Sequence, residues 1–170
     1  MENTQPDAFG FLPKDYTVPS TSDFMKFQTG ENTFRVMSPA VIGWEYWNKD
    51  KKPIRSKTKW TGTPEDISVD KDGNPTTIKH FWSMVVYNYN DKAVQSLEIT
   101  QKGIMDSITA LVENPKWGNP MKYDITVSKS GEGLATKYTV QPNPHSEMSP
   151  EIIAEFEAKA INVESIFDNK

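Results

Sequence analysis

Trp44-Glu-Tyr-Trp47 leads into a run from Lys49 to Lys59 in which Lys49, Lys51, Lys52, Arg55, Lys57 and Lys59 face a single acid, Asp50. The local balance is +5 in a chain whose net charge is −4, and Trp60 closes the run. Lysine and arginine neutralise phosphates by releasing condensed counterions, and the flat faces of Trp and Tyr take unstacked bases. These residue types at this spacing point to nucleic-acid chemistry, electrostatic capture combined with stacking. The structural alternative is a solvated loop with core tryptophans at its edges.

No other chemistry is as well supplied. The chain has no cysteine, which excludes disulfides and thiolate metal sites, and its two histidines, His80 and His145, are far apart in sequence. No phosphate-cradling glycine motif occurs, and Gly131-Glu-Gly133 is too short to count as one. No serine sits in a nucleophile elbow. Glu65-Asp66 reads as a pair of solvated loop acids, and His80, entering a strand, as a packed or base-contacting residue. An enzyme is not supported, and neither a cofactor nor a metal is expected. No apolar run follows Met1 and no stretch approaches a membrane span, so export is not expected.

The elements that must position the basic run follow from periodicity. With 170 residues, 36% hydrophobic and 12 prolines, the chain is long enough for one domain with irregular ends. Residues 1–23 carry Pro6, Pro13 and Pro19 and read as an irregular arm, with Phe9, Phe11 and Leu12 as apolar handles for local packing or a neighbouring protomer. Thr33–Ser38 alternates as a half-buried strand with Phe34 and Val36 on one face and Arg35 and Met37 on the other. Pro39 interrupts it and 41–46 resumes it, which predicts one long strand bent near Pro39–Gly43. Residues 61–77 form a connector with a short hairpin around Asp72-Gly73. Residues 78–89 form the most strand-like segment, apolar enough to be covered on both faces.

Asn90-Asp91 then turns the chain into a strand over 93–100 that buries Leu97 and Ile99. Ile104, Ile108, Leu111 and Val112 recur at helical spacing, with Thr100 as N-cap and Asn114-Pro115 as the stop. Residues 122–128 bury Tyr123, Ile125 and Val127, and 134–140 form the last strand before Pro142 and Pro144. Ser149 caps a further helix with Pro150 at its first position and Ile152, Ile153, Phe156 and Ala160 on its apolar side. From His145 to Lys170 six acids face two lysines, a balance of −4 that sets this end apart from the basic run. The expected fold is all-β with one core helix, a five-stranded OB-fold barrel in the order strand-strand-strand-helix-strand-strand. The expected division is an arm at 1–23, the barrel at 24–144, and an acidic C-terminal helix and tail at 145–170. In that fold the basic run and Lys129-Ser-Gly-Glu-Gly133 both fall where a ligand is bound.

Several stretches in order carry a resemblance. They are Lys26-Phe-Gln-Thr-Gly-Glu-Asn-Thr-Phe-Arg-Val-Met37, Gly43-Trp-Glu-Tyr-Trp47, His80–Tyr89, Trp117-Gly118, Tyr123–Val127 and Lys129–Tyr138. Over about residues 24–140 the chain resembles the single-stranded-DNA-binding proteins of tailed bacteriophages, a group related to the phage helix-destabilising proteins. It lacks the Cys ligands of the zinc-bearing members, so no metal is carried over. The resemblance implies an OB-fold that coats and protects single strands in phage replication, recombination or repair, in the cytoplasm of the infected host cell. It also implies an acidic C-terminal end that contacts replication or recombination proteins, and self-association on DNA.

Carried onto this sequence, the binding set is Arg35, Trp44, Tyr46, Trp47, Lys49, Lys51, Lys52, Arg55, Lys57, Lys59 and Trp60, with Lys79, Trp82, Tyr87, Tyr89, Lys129, Lys137 and Tyr138 from the opposite wall. Strand parity limits how many serve together: Trp82 points away from Tyr87 and Tyr89, and Trp44 and Tyr46 away from Trp47. Rival readings are a virion structural or scaffold protein using the barrel for protein contacts, an RNA-binding OB module, and a carbohydrate-binding barrel. The loop cations argue against the last, since neutral sugars give them no partner.

Overall fold

The apolar run at 78–89 becomes β4 (Lys79–Asn88), and the rest of the sheet is laid along it. The computed structural model describes residue 11 and residues 23–169. Along one edge of β4 lie two antiparallel strands in line, β1 (Gly30–Val36) and β2 (Val41–Trp47). β1 pairs Val36 with Val86, and β2 pairs Val41 with Ser83, so Met37–Ala40 is a bend in one long strand, as Pro39 predicts. β3 (Pro53–Ser56) pairs with β2, and β5 (Ala93–Ile99) pairs with the other edge of β4. β6 (Tyr123–Ser130) pairs with β1, and β7 (Lys137–His145) with β6. The sheet order is β3-β2-β4-β1-β6-β7, with β5 beside β4.

Alternation sorts the side chains onto two faces. The inner face buries Phe34, Val36, Met84, Val86, Leu97, Ile99, Tyr123, Ile125 and Val127 against Ile104, Met105 and Ile108 of α1 (Lys102–Glu113). The outer face carries Val85, Tyr87 and Val94, against which Met148 and Ile161 pack with Ile152 and Phe156 of α2 (Pro150–Lys159). β4 is therefore covered on both sides, which is why its sequence barely alternates. α2 starts as expected, with Ser149 Oγ accepting from the Ile152 N–H and Pro150 at the first helical position. A 3₁₀ turn, Val163–Asp168, then runs back across the outer face.

Several expectations change. The expected five-stranded barrel is seen as a seven-stranded antiparallel sheet that stays open: among the described residues no pairing joins β5 to β7. The two additions are the split of the first strand at Pro39 and the short β3, which places Arg55 on a strand within the basic run. α1 is capped at Gln101, not Thr100, and Val112 is 46% exposed while Met105 takes its place in the core. β7 begins after the 3₁₀ turn Gly133–Ala135 and continues through Pro142 and Pro144, tolerated because it is an edge strand. Phe11 is exposed, while Phe9 and Leu12 lie outside the described residues. Among the described residues no helix is long and apolar enough to cross a membrane.

Candidate nucleic-acid interface

The β2–β3 connection is a tight turn built by Asn48. Its side-chain oxygen accepts from the Asp50 and Lys52 N–H groups, both at 2.9 Å, and its own N–H donates to the Lys52 carbonyl. Lys51 takes a positive φ of 61° to complete it. Lys49, Lys51 and Lys52 are therefore exposed on a rigid tip. The 61–78 connector folds back beneath that tip: Ser68 N–H donates to the Trp47 carbonyl, Lys49 N–H donates to the Asp66 carbonyl, and Ile67 is buried. Its own small turn is closed by Asp70 and Asn74, as expected around Asp72-Gly73.

Trp47 stands on the outer face, 46% exposed, opposite Pro53. Lys49, Lys51 and Lys52 of the turn, Lys79 in register with Glu45, and Lys59 beyond the end of β3 are exposed, and among the described residues none of the five is ion-paired. Lys57 and Arg55 differ. Lys57 Nζ is 2.9 Å from Glu164 and stands over the Phe167 ring at 5.4 Å. Arg55 is held by Glu45 and Glu98 and stands over Phe81 at 5.9 Å.

The aromatics divide as parity requires. Trp44 is half-buried, its ring 4.8 Å from that of His80, whose Nδ1 bonds the Gly43 carbonyl. Tyr46 is buried and donates to Asp66 at 2.7 Å; burial and that bond push its phenol up to about 12. Trp60 is half-buried edge-on against Tyr46. Trp82 is half-buried against the inner core. Tyr87 is buried and meets Tyr89 edge-on at 4.9 Å. Tyr89 donates to Asp124, and burial followed by that carboxylate pushes its phenol up to about 12. Both phenols stay neutral and committed within the protein.

Arg35, expected at the binding face, is 1% exposed. Its Nε donates to Asp124 at 2.7 Å, one terminal nitrogen to Ser146 Oγ, and the other to the Met121 carbonyl. It fastens β1 to β6 and to the start of the C-terminal segment, so it presents nothing to a ligand in this arrangement. The alternation that placed it opposite Phe34 was correct; what covers the outer face there is the C-terminal segment, which periodicity does not reveal.

Lys129, Lys137 and Tyr138 lie at the far end. Lys129 pairs with Gly30 in register and is half-buried, Lys137 is exposed, and Tyr138 packs against Phe27. β4's 10 residues separate this end from the Trp47 end, about 33 Å at roughly 3.3 Å per residue. Of the expected opposite wall, Lys129, Lys137 and Tyr138 thus lie at the other end of the sheet from Trp47, while Lys79 lies close to it and Trp82 and Tyr87 sit along β4. Between those ends the outer face is covered by α2 and the 3₁₀ turn.

Sequence reasoning missed the packing of Phe167 on Phe81 and the two acids on Arg55. Gly43 was the available signal, since glycine within a strand marks a close approach. A Cβ there would stand 2.6 Å from the Ser56 carbonyl oxygen and 2.9 Å from the Phe167 ring.

No family model matches the chain. No solved structure matches it either. Among curated proteins it is similar to one from Escherichia phage T5 described as a probable ssDNA-binding protein, 26% identical over an alignment 140 residues long, which covers 70% of this chain and 54% of the relative. The chain spans about half the length of the curated relative it matches.

Proposed function

We propose that this protein binds single-stranded DNA without strong sequence preference, starting from the Trp47 end of the sheet. The observation that carries this is an exposed tryptophan beside the turn that carries Lys49, Lys51 and Lys52, with Lys79 nearby on β4 and Lys59 beyond the end of β3, all five exposed and without ion-pair partners among the described residues. Stacking on Trp47 accepts every base, and the lysines neutralise backbone phosphates. The name of the phage T5 relative supports the same ligand. We read the sheet as an OB-type barrel laid open: order β5-β4-β1-β6-β7 with α1 after β5 is the order such a barrel takes. The role is coating and protecting strands in phage replication, recombination or repair, with Lys137 and Tyr138 as a second contact at the far end of the sheet.

The test is a binding titration with matched single-stranded DNA, RNA and duplex at several salt concentrations. With four or five phosphates neutralised, log K falls against log salt with a slope of about −3 to −3.5, taking roughly −0.7 per phosphate. Salt-independent affinity, or a preference for duplex, overturns the proposal. Tighter binding to RNA moves the ligand to that class.

A further inference from the structure

Three ionisable side chains from three strands meet on the outer face of the sheet. Arg55 of β3 donates through Nε to Glu45 Oε2 of β2 at 3.1 Å and through Nη2 to Glu98 Oε2 of β5 at 3.0 Å. Glu45 is 5% exposed. Glu98 lies within hydrogen-bond reach of Glu45, and its second oxygen, Oε1, is buried with no hydrogen-bond partner. Two ionised carboxylates against one guanidinium would leave a net negative charge where Glu45 is buried and the Glu98 side chain is only 27% exposed, together with an orphaned oxygen. A protonated carboxyl removes both problems, because it is neutral and its O–H becomes a donor to the neighbouring carboxylate.

We propose that Glu98 carries a proton shared with Glu45, and that this proton latches β5 to the β2–β3 hairpin across β4. Burial is the first cause holding the Glu98 proton, the Glu45 hydrogen bond and charge act the same way, and Arg55 opposes them; the carboxyl is pushed up to about 8. Other charged groups face the cluster across a cavity of about 820 Å³ between the sheet and the C-terminal segment. They are Lys159 from α2, Asp168 from the 3₁₀ turn, and Asp23 from the segment before β1. Lys159 is engaged with the Val94 carbonyl. Lys79, in register with Glu45 on β4, is exposed.

The sign follows from the raised value. The folded state holds a proton that the unfolded carboxyl, at its ordinary 4.5, releases. The latch's stabilisation is therefore complete below about pH 4.5 and is lost as pH rises through about 8. Losing it puts a second charge beside Glu45 and loosens the hairpin that carries Lys49, Lys51 and Lys52. Only this last consequence rests on the proposed function; the latch does not.

The experiment measures unfolding of the DNA-free protein from about pH 5 to about pH 9, for wild type and for Glu98→Gln. Between the two pKa values the wild-type unfolding constant should rise about tenfold per pH unit relative to the variant, the signature of one linked proton. An identical pH dependence in the two proteins overturns the latch. If Glu98→Gln does not fold, infrared difference spectra of wild type decide. A protonated-carboxyl band that is lost near pH 8 supports the latch, and its absence at neutral pH overturns it. Oligonucleotide titration over the same range should show affinity falling several-fold towards pH 9 in wild type and not in the variant. Failure of any oligonucleotide to bind would overturn the proposed function while the unfolding data still decide the latch.

Discussion

Arg35 and Trp47 show how one residue's role depends on its neighbours. Arg35 sits 2.7 Å from Asp124 with its side chain 2% exposed, so its charge holds strands together. Arg35→Ala leaves Asp124 uncompensated and should cost about 3 kcal/mol of stability, read as a shift in denaturant midpoint. An unchanged midpoint would show that water already screens the pair. Trp47 is 46% exposed, and Trp47→Ala should cost about 1–3 kcal/mol of single-strand affinity with little change in melting temperature. Trp82→Ala should do the reverse, because Trp82 packs on the core around Met84 and Ile99; a loss of about 3 kcal/mol in stability is expected. Trp60, which sequence alone paired with Trp47 as a stacking candidate, leans on Tyr46, and its replacement should affect both measurements.

At the scale of elements, the β2–β3 hairpin and the C-terminal segment form one unit. Phe167 lies 5.9 Å from Phe81 and over Gly43, and Asn169 closes two hydrogen bonds with the Arg55 backbone. Because of these contacts, deleting residues 161–170 should lower the melting temperature measurably. It also uncovers Phe81 and frees Lys57 from Glu164, so single-strand affinity should rise, most visibly at low salt where screening is weakest. Weaker affinity at low salt would show that the segment supports the binding surface instead of covering it. Gly43→Ala tests the same contact from the other side. Its Cβ meets the Ser56 backbone oxygen, which cannot rotate away, and about 1–3 kcal/mol of overpacking cost is expected in thermal unfolding.

Across the whole molecule, charge and topology divide the labour. The chain is net −4, yet the Trp47 end is basic, and the acidic C-terminal segment lies on the sheet between that end and Lys137. Sign asymmetry of this kind governs how a polyanion approaches. Periodicity alone determined much of the frame. The burial of Tyr123, Ile125 and Val127, the burial of Leu97 and Ile99, the stop of α1 at Asn114 and the start of α2 at Ser149 were all legible, since each depends on neighbours within a few residues. The bend at Pro39 was legible because proline acts locally on the ladder. Tertiary structure alone decided which basic residues are available. Arg35, Arg55 and Lys57 carry the same charge as Lys49 and Lys52, but their carboxylate partners Asp124, Glu98 and Glu164 lie 89, 43 and 107 residues away in sequence. Such pairings exist only after the sheet has formed and the C-terminal segment has crossed its outer face, so no local pattern could announce them.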